Sequence, residues 1–254
     1  MLRKTLTCSA AALLSAMPAI AEPAQDLEEI IVTATTREQQ VRTAPASISV
    51  VTRADLDARF VDDLSDALSN MEGVNVTGIG MTRKGISLRG MPVEHTLYLL
   101  DGRRVSASGA VVAHSDYELS WLPTSAIERI EVVRGPMSSL YGSDALGGVI
   151  NVITRVPSDD LTGEVSVDAT RLDSTSDGGS YKLSGYLGGP LIKDKLSFVL
   201  AGQYFDRSDL PLEEDEKLSE VDGRSSAGGY GSLIWTPKDG QKLSVSFSRN
   251  DDDR

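Results

Sequence analysis

The chain is poor in the residues that most often carry chemistry. Its 254 residues include one cysteine, Cys8, and two histidines, His95 and His114. No Cys/His spacing of a metal site is present, no nucleophile stands with a base, and no glycine-rich stretch has phosphate-loop spacing. These absences turn the reading away from an enzyme and from a resident cofactor or metal. Positive charge is also scarce: 25 Lys and Arg stand against 37 Asp and Glu, a formal charge of −12. That balance argues against nucleic-acid binding. It still allows an anionic ligand, because a local basic cluster can focus one. Long apolar runs are missing too. The longest, residues 10–20, falls far short of the roughly 18 residues that a spanning helix needs. If this chain enters a membrane, it must do so as a β-barrel, whose backbone groups pair between strands.

What is present begins with an export signal. Arg3 and Lys4 precede the apolar stretch, and Ala19-Ile20-Ala21 forms a small-residue cleavage site. Residues 1–21 therefore read as a signal peptide. Its removal takes Cys8 away and shifts the formal charge from −12 to −14.

Residues 22–40 are polar except for EEIIVTA at 28–34. Three β-branched apolar residues stand in a row there with no partner strand nearby in sequence. Such a segment serves either as a first strand or as an edge that adds to another protein's sheet. Further on, residues 47–51 alternate as a short strand. Thr52 caps a turn, with Asp55 completing a capping-box variant. Val61, Leu64, Ala67, Leu68 and Met71 fall at helical spacing, and Gly73 is a C-terminal stop. Residues 74–77, 86–89, 96–100, 127–133 and 149–154 read as short strands, with 86–89 and 96–100 taken as a hairpin. Two irregular pieces, 78–85 and 102–120, are long enough to carry function on a small rigid domain.

The stretch RGPMSSLYGSDALGGVINVITR at 134–155 organises the chain. A strand stops at Gly135-Pro136, where proline suits a first helical turn. Gly142 breaks that turn. Gly147 and Gly148 permit a close backbone approach, and VINVIT reads as a strand buried on both faces. This is a structural joint, not a catalytic site.

From residue 159 the pattern changes to period two. Val165, Val167 and Ala169 oppose Glu164, Ser166, Asp168 and Thr170. Tyr181, Leu183 and Leu187 oppose Lys182, Ser184 and Gly188. Leu196, Phe198, Leu200 and Tyr204 oppose Ser197, Ala201 and Gln203. Leu233 and Trp235 continue the pattern, and Leu243, Val245 and Phe247 alternate with serines. Segments of about ten residues with one apolar face form the outer-membrane barrel signature, although a soluble sandwich alternates in the same way. The connectors 189–194 and 237–241 are short, whereas 206–224 is long and acidic.

Two blocks, ERIEVVRGPMSSLYGSDALGGVINVIT and RKGISLRGMPVEHTLYLLDGRRV, resemble the plug of TonB-dependent outer-membrane receptors in order and spacing. The likeness runs toward the ferric-catecholate siderophore receptors, the receptor for colicin I among them. It implies an α+β plug domain, a small mixed sheet with short helices, followed by the start of an antiparallel transmembrane β-barrel. The implied divisions are 22–40 for the TonB-box segment, 41–156 for the plug and 157–254 for the first five barrel strands. Because such barrels have about twenty-two strands, the chain reads as truncated.

The resemblance also implies roles. Glu29, Ile30, Ile31, Val32, Thr33 and Ala34 become the TonB box, gripped by TonB through strand addition. Arg83, Lys84, Arg103, Arg104, His114 and Tyr117 become ligand contacts on the apical plug loops, with Trp121 a further aromatic contact. Glu128, Arg129, Glu131, Arg134 and Arg89 are expected to bind the plug to the barrel wall. The implied activity is TonB-dependent import of a ferric siderophore across the outer membrane, with lipid around the barrel and bacteriocins or phage as further partners. One departure matters: SASGAVVAH at 106–114 has no basic residue other than His114. A less charged siderophore, a cobalamin or an oligosaccharide thereby gains ground against a trianionic catecholate. Haem is disfavoured because the hairpin reading puts His95 and His114 at opposite ends.

Overall fold

The computed structural model describes residues 31–32, 39–40, 47–78, 84–105, 120–171, 179–212, 215–221, 223–238 and 240–253. The signal-peptide reading of 1–21 lies outside them. At the start of the described chain, strand β1 (Ile31–Val32) pairs antiparallel with β2 (Gln39–Gln40).

The first layer is a five-stranded mixed sheet. Its strands are β3 (Ser47–Thr52), β6 (Thr96–Leu100), β7 (Arg103–Arg104), β8 (Ile127–Arg134) and β9 (Gly148–Thr154). Their spatial order is β3-β8-β9-β6-β7. The VINVIT run lies in the central strand β9, where burial on both faces suits its β-branched residues. The β9–β6 pair is parallel and the others antiparallel. Strand β5 (Lys84–Leu88) does not make the expected hairpin with β6. It pairs with β4 (Val74–Gly78), Val74 opposite Leu88, while Thr96 lies opposite Gly148. The sequence pattern marks strands but not their partners, and here the partner of β6 comes from about fifty residues away.

Helix α1 (Arg53–Asp57) begins as its residues predict. The Thr52 N–H donates to the Asp55 carboxylate at 2.8 Å, and the Asp55 N–H donates to Thr52 Oγ1 at 3.3 Å. Helix α2 (Leu64–Leu68) is shorter than the apolar spacing suggests, because Asp63 caps it by accepting from the Ser65 and Asp66 N–H groups. After β8, a short helix α3 (Ser138–Tyr141) ends at Gly142, with φ +87°.

The second layer is an antiparallel meander of β10 (Thr162–Thr170), β11 (Ser180–Ile192), β12 (Leu196–Arg207), β15 (Arg224–Lys238) and β16 (Gln241–Asp253). Tight turns join β11 to β12 and β15 to β16. The long acidic connector carries a hairpin of its own, β13 (Leu210–Leu212) with β14 (Asp215–Val221).

The two faces of this meander decide between a soluble sheet and a membrane wall. The outward face exposes Val165 at 77%, Phe247 at 71% and Val245 at 68%. The inward face buries Lys182, Ser184, Arg224 and Ser226 against the first layer. Apolar residues outside and charged residues inside invert the soluble pattern and suit a barrel wall facing lipid. Tyr181 and Tyr204 meet in a tilted pair, ring centroids 5.8 Å apart, near the long-connector end, and Trp235 lies near the tight-turn end. One hydrophobic core joins the layers, running from Leu68, Ile86, Ile130 and Ile150 to Tyr186, Val199 and Tyr230.

Gly148 closes the organising stretch. At its φ of +153°, a Cβ would lie 2.3 Å from the Val133 carbonyl oxygen. Gly148→Ala is expected to cost at least about 1–3 kcal/mol of plug stability. Thermal unfolding in detergent should show a lower first transition, and an unchanged transition would contradict this account.

Candidate functional site

The polar contacts between the layers gather on one inner patch of the wall. Arg224 opens β15 and enters the plug. Its Nη1 donates to Asp62 Oδ2 at 2.6 Å and lies 3.5 Å from Asp63 Oδ2. Its Nε and Nη2 donate to the Asp252 carboxylate of the neighbouring strand at 3.0 and 2.9 Å. Lys182 on β11 donates to the Val61 carbonyl and, at 2.8 Å, to Thr124 Oγ1. Gln203 on β12 accepts from the Thr124 N–H and hydroxyl at 3.0 and 2.8 Å and donates to the Asp62 carbonyl at 3.1 Å. Three adjacent wall strands thus hold two short plug segments, at 61–63 and 124–125.

This arrangement follows from local sequence. Asp63 must precede a helix to cap it, which presents Asp62 and Asp63 together at the plug surface. Lys182, Gln203 and Arg224 lie on inward faces set by strand alternation, where each needs a partner. The carboxylates of Asp62, Asp63 and Asp66 come within 4.8 Å of one another. Lys84 supplies a second countercharge, 3.3 Å from Asp66 and 3.8 Å from Asp63. Arg224 and Lys84 together supply countercharge to these three carboxylates. Burial pushes the Asp62 carboxyl up to about 6, against the pull of Arg224 and with the push of Asp63 and Asp66.

Of the residues expected at the wall, Glu128 lies near Tyr186 of β11, but the other four are elsewhere. Glu131 is fully buried in the plug sheet, where it accepts from Arg129 at 2.9–3.0 Å and from Asn151 Nδ2 at 3.1 Å. Arg134 donates to Ser49 Oγ at 2.6 Å and to the Glu72 carbonyl, and Arg89 lies beside Gly135. These side chains bind the plug to itself. Charge alternation along β8 marks a polar requirement but cannot say which surface answers it.

The expected ligand residues do not form one group. Lys84 bonds to α2 near Arg224, at the long-connector end of the wall. Arg103 and Arg104 line a cavity with Trp121, Ile234, Lys242 and Ser244, near the tight-turn end. Arg224 and Ile234 lie roughly 33 Å apart along β15 at about 3.3 Å per residue. Arg104 also pairs with Asp144 at 2.5 Å and donates to the Tyr141 carbonyl. Arg83, His114 and Tyr117 lie outside the described residues, as do Glu29, Ile30, Thr33 and Ala34. Ile31 and Val32 form strand β1.

Comparisons with known proteins agree with this architecture. Residues 40–149 match the TonB-dependent Receptor Plug Domain. The chain is 44% identical over 190 residues to the iron-regulated outer membrane virulence protein of Vibrio cholerae, covering 73% of this chain and 29% of that protein. It is 37% identical to the ferric enterobactin receptor PirA of Pseudomonas aeruginosa, covering 84% and 32%. The crystal structure of the siderophore receptor PirA from Acinetobacter baumannii superposes with a TM-score of 0.72 at 32% identity, covering 87% of this chain and 33% of that one. The chain belongs to the TonB-dependent outer-membrane receptors, of which it carries the plug and the first barrel strands. It spans about a third of the length of the curated relatives it matches. Its place is the outer membrane, and the tight turns between its strands have the short length usual of periplasmic turns in such a barrel.

Two outcomes test the contact. Arg224→Met leaves Asp62 and Asp63 buried without their main countercharge, so the plug should lose about 3–5 kcal/mol, read as a lower denaturant midpoint for plug release. The pH dependence has a defined sign. Asp62 is raised in the folded state, so between pH 3.8 and about 6 the folded protein holds more protons than the unfolded one. Stability from this group is fully present below 3.8 and falls as pH climbs toward 6. Asp62→Asn should flatten the melting temperature across that interval, and a profile identical to that of the parent would refute the assignment.

Proposed function

We propose that the receptor containing this chain imports a ferric siderophore by TonB-dependent active transport and is not an enzyme. The observation that carries the reading is a plug seated on a barrel wall through a compact polar contact, with a strand-forming segment ahead of it. Ligand binds at the loop end of the plug. The segment at 29–34 becomes available in the periplasm, TonB adds a strand to it, and pulling loosens the plug. A catecholate ligand is favoured because relatives of the chain are named ferric enterobactin receptors. A second reading, a less charged ligand such as a neutral siderophore, cobalamin or oligosaccharide, draws on the lack of lysine and arginine at 106–114. Surface recognition by bacteriocins or phage is compatible with either.

The experiment is uptake of radiolabelled ferric enterobactin by cells whose only siderophore receptor is the full-length protein, with and without TonB. Uptake should require TonB. Ile31→Pro removes a backbone donor from β1 and should abolish uptake while sparing surface binding. Equal loss of both would contradict the mechanism. TonB-dependent growth without siderophore uptake would move the ligand to the vitamin or carbohydrate class.

A further inference from the structure

A second cluster of cations lies apart from the plug–wall contact, and nothing in that contact uses it. A cavity of about 400 Å³ opens between the plug edge and the inner face of β15 and β16. Arg103, Arg104, Trp121 and Arg155 line it from the plug side, and Tyr230 and Lys242 from the wall. In a chain of formal charge −12, four cations around one cavity are a local reversal of sign. Two of them are committed on one side: Arg104 to Asp144, and Arg155 to Glu164 at 3.0 Å with its guanidinium 3.6 Å over the Tyr186 ring. The other two, Arg103 and Lys242, are exposed and form no ion pair among the described residues. The one carboxylate in the lining, Asp101, accepts from the Thr154 N–H and hydroxyl at 2.9 Å each, which fixes the turn that carries Arg103.

We propose that this cavity is a holding site for an anionic chelate with aromatic arms, occupied in transit along the seam between plug and wall. The proposal rests on the import reading and deepens it. Guanidinium groups bind chelate oxygens in a bidentate fashion, and a neighbouring ammonium adds a point charge. Trp121, half-buried in the lining, offers an aromatic surface against which a catecholate ring packs. Ser232, Ser244 and Ser246 on the wall add hydroxyl partners. The volume falls in the range of roughly 300–1,000 Å³ typical of small-molecule sites. It suits an arm of a tris-catecholate better than a whole one. Arg103 and Lys242 lie toward the tight-turn end of the seam, where an anion passing along it meets them.

The test uses the full-length receptor in cells and a ferric tris-catecholate as probe. The double variant Arg103→Ala/Lys242→Ala should lower the maximal uptake rate about tenfold and leave surface binding in de-energised cells unchanged. Arg103→Lys with Lys242→Arg keeps the charge and should restore most of the rate. Unchanged uptake by the alanine pair, or loss of binding and uptake in equal proportion, overturns the holding site and leaves the import reading standing. Failure of the unmodified receptor to take up the probe in a TonB-dependent way overturns both.

Discussion

The structure depends on a guanidinium buried between carboxylates of two layers. Arg224 joins Asp62 and Asp63 of the plug to Asp252 of the wall, and its side chain is almost wholly removed from water. A charge so placed is tolerable only when its partners are close and complete. That demand fixes other positions. Asp63 must cap α2 while facing Arg224, which makes the helix start at Leu64. Lys182 and Gln203 must then close over Val61, Asp62 and Thr124. The hydrophobic core continues between the layers around these groups, with Tyr186, Val199 and Tyr230 packed on plug residues. Apolar burial supplies attraction without direction. The polar contact supplies the register in which plug meets wall.

The plug and the wall solve the same problem in opposite ways. Inside the plug sheet, Glu131 is satisfied by Arg129 and Asn151, and Asn151 Oδ1 in turn accepts from the Gly102 N–H at 3.0 Å. That chain of partners belongs to one body and keeps the sheet intact. On the wall, the outer face is mainly apolar, and its valines, leucines and phenylalanine stand exposed where lipid replaces water. The inversion of inside and outside is thus a consequence of solvent, read by the same alternation that would otherwise mark a soluble sandwich.

Much of this was legible in the residues. Alternation at 164–170, 181–188 and 243–248 places three of the wall strands, and Thr52 with Asp55 places the start of α1. Gly135-Pro136, Gly142 and Gly148 mark the joint before the central strand. What escaped the sequence was partnership across long separations. Arg224 meets Asp62 across 162 residues, and Lys182 meets Val61 across 121. No local pattern encodes such pairs. An inward-facing lysine or arginine on a barrel strand does signal that a partner must exist. The same limit explains Arg103 and Arg104, which were expected on an apical loop and lie near the tight-turn end of the wall.

The division between the two kinds of contact bears on how a seated plug could move. Among the described residues, the hydrogen bonds and ion pairs between the plug and these five wall strands are directional and concentrated at 61–63 and 124–125. Each can exchange its partner for water when the seam opens, so the net cost of loosening is far below the gross energy of the contacts. The plug's own sheet is held by central strands buried on both faces, and opening it would expose apolar area that water cannot compensate. A pull applied ahead of β3 therefore meets two resistances of different character. On the import reading, the wall contact yields first and the sheet survives. That ordering follows from which contacts water can replace, not from their number.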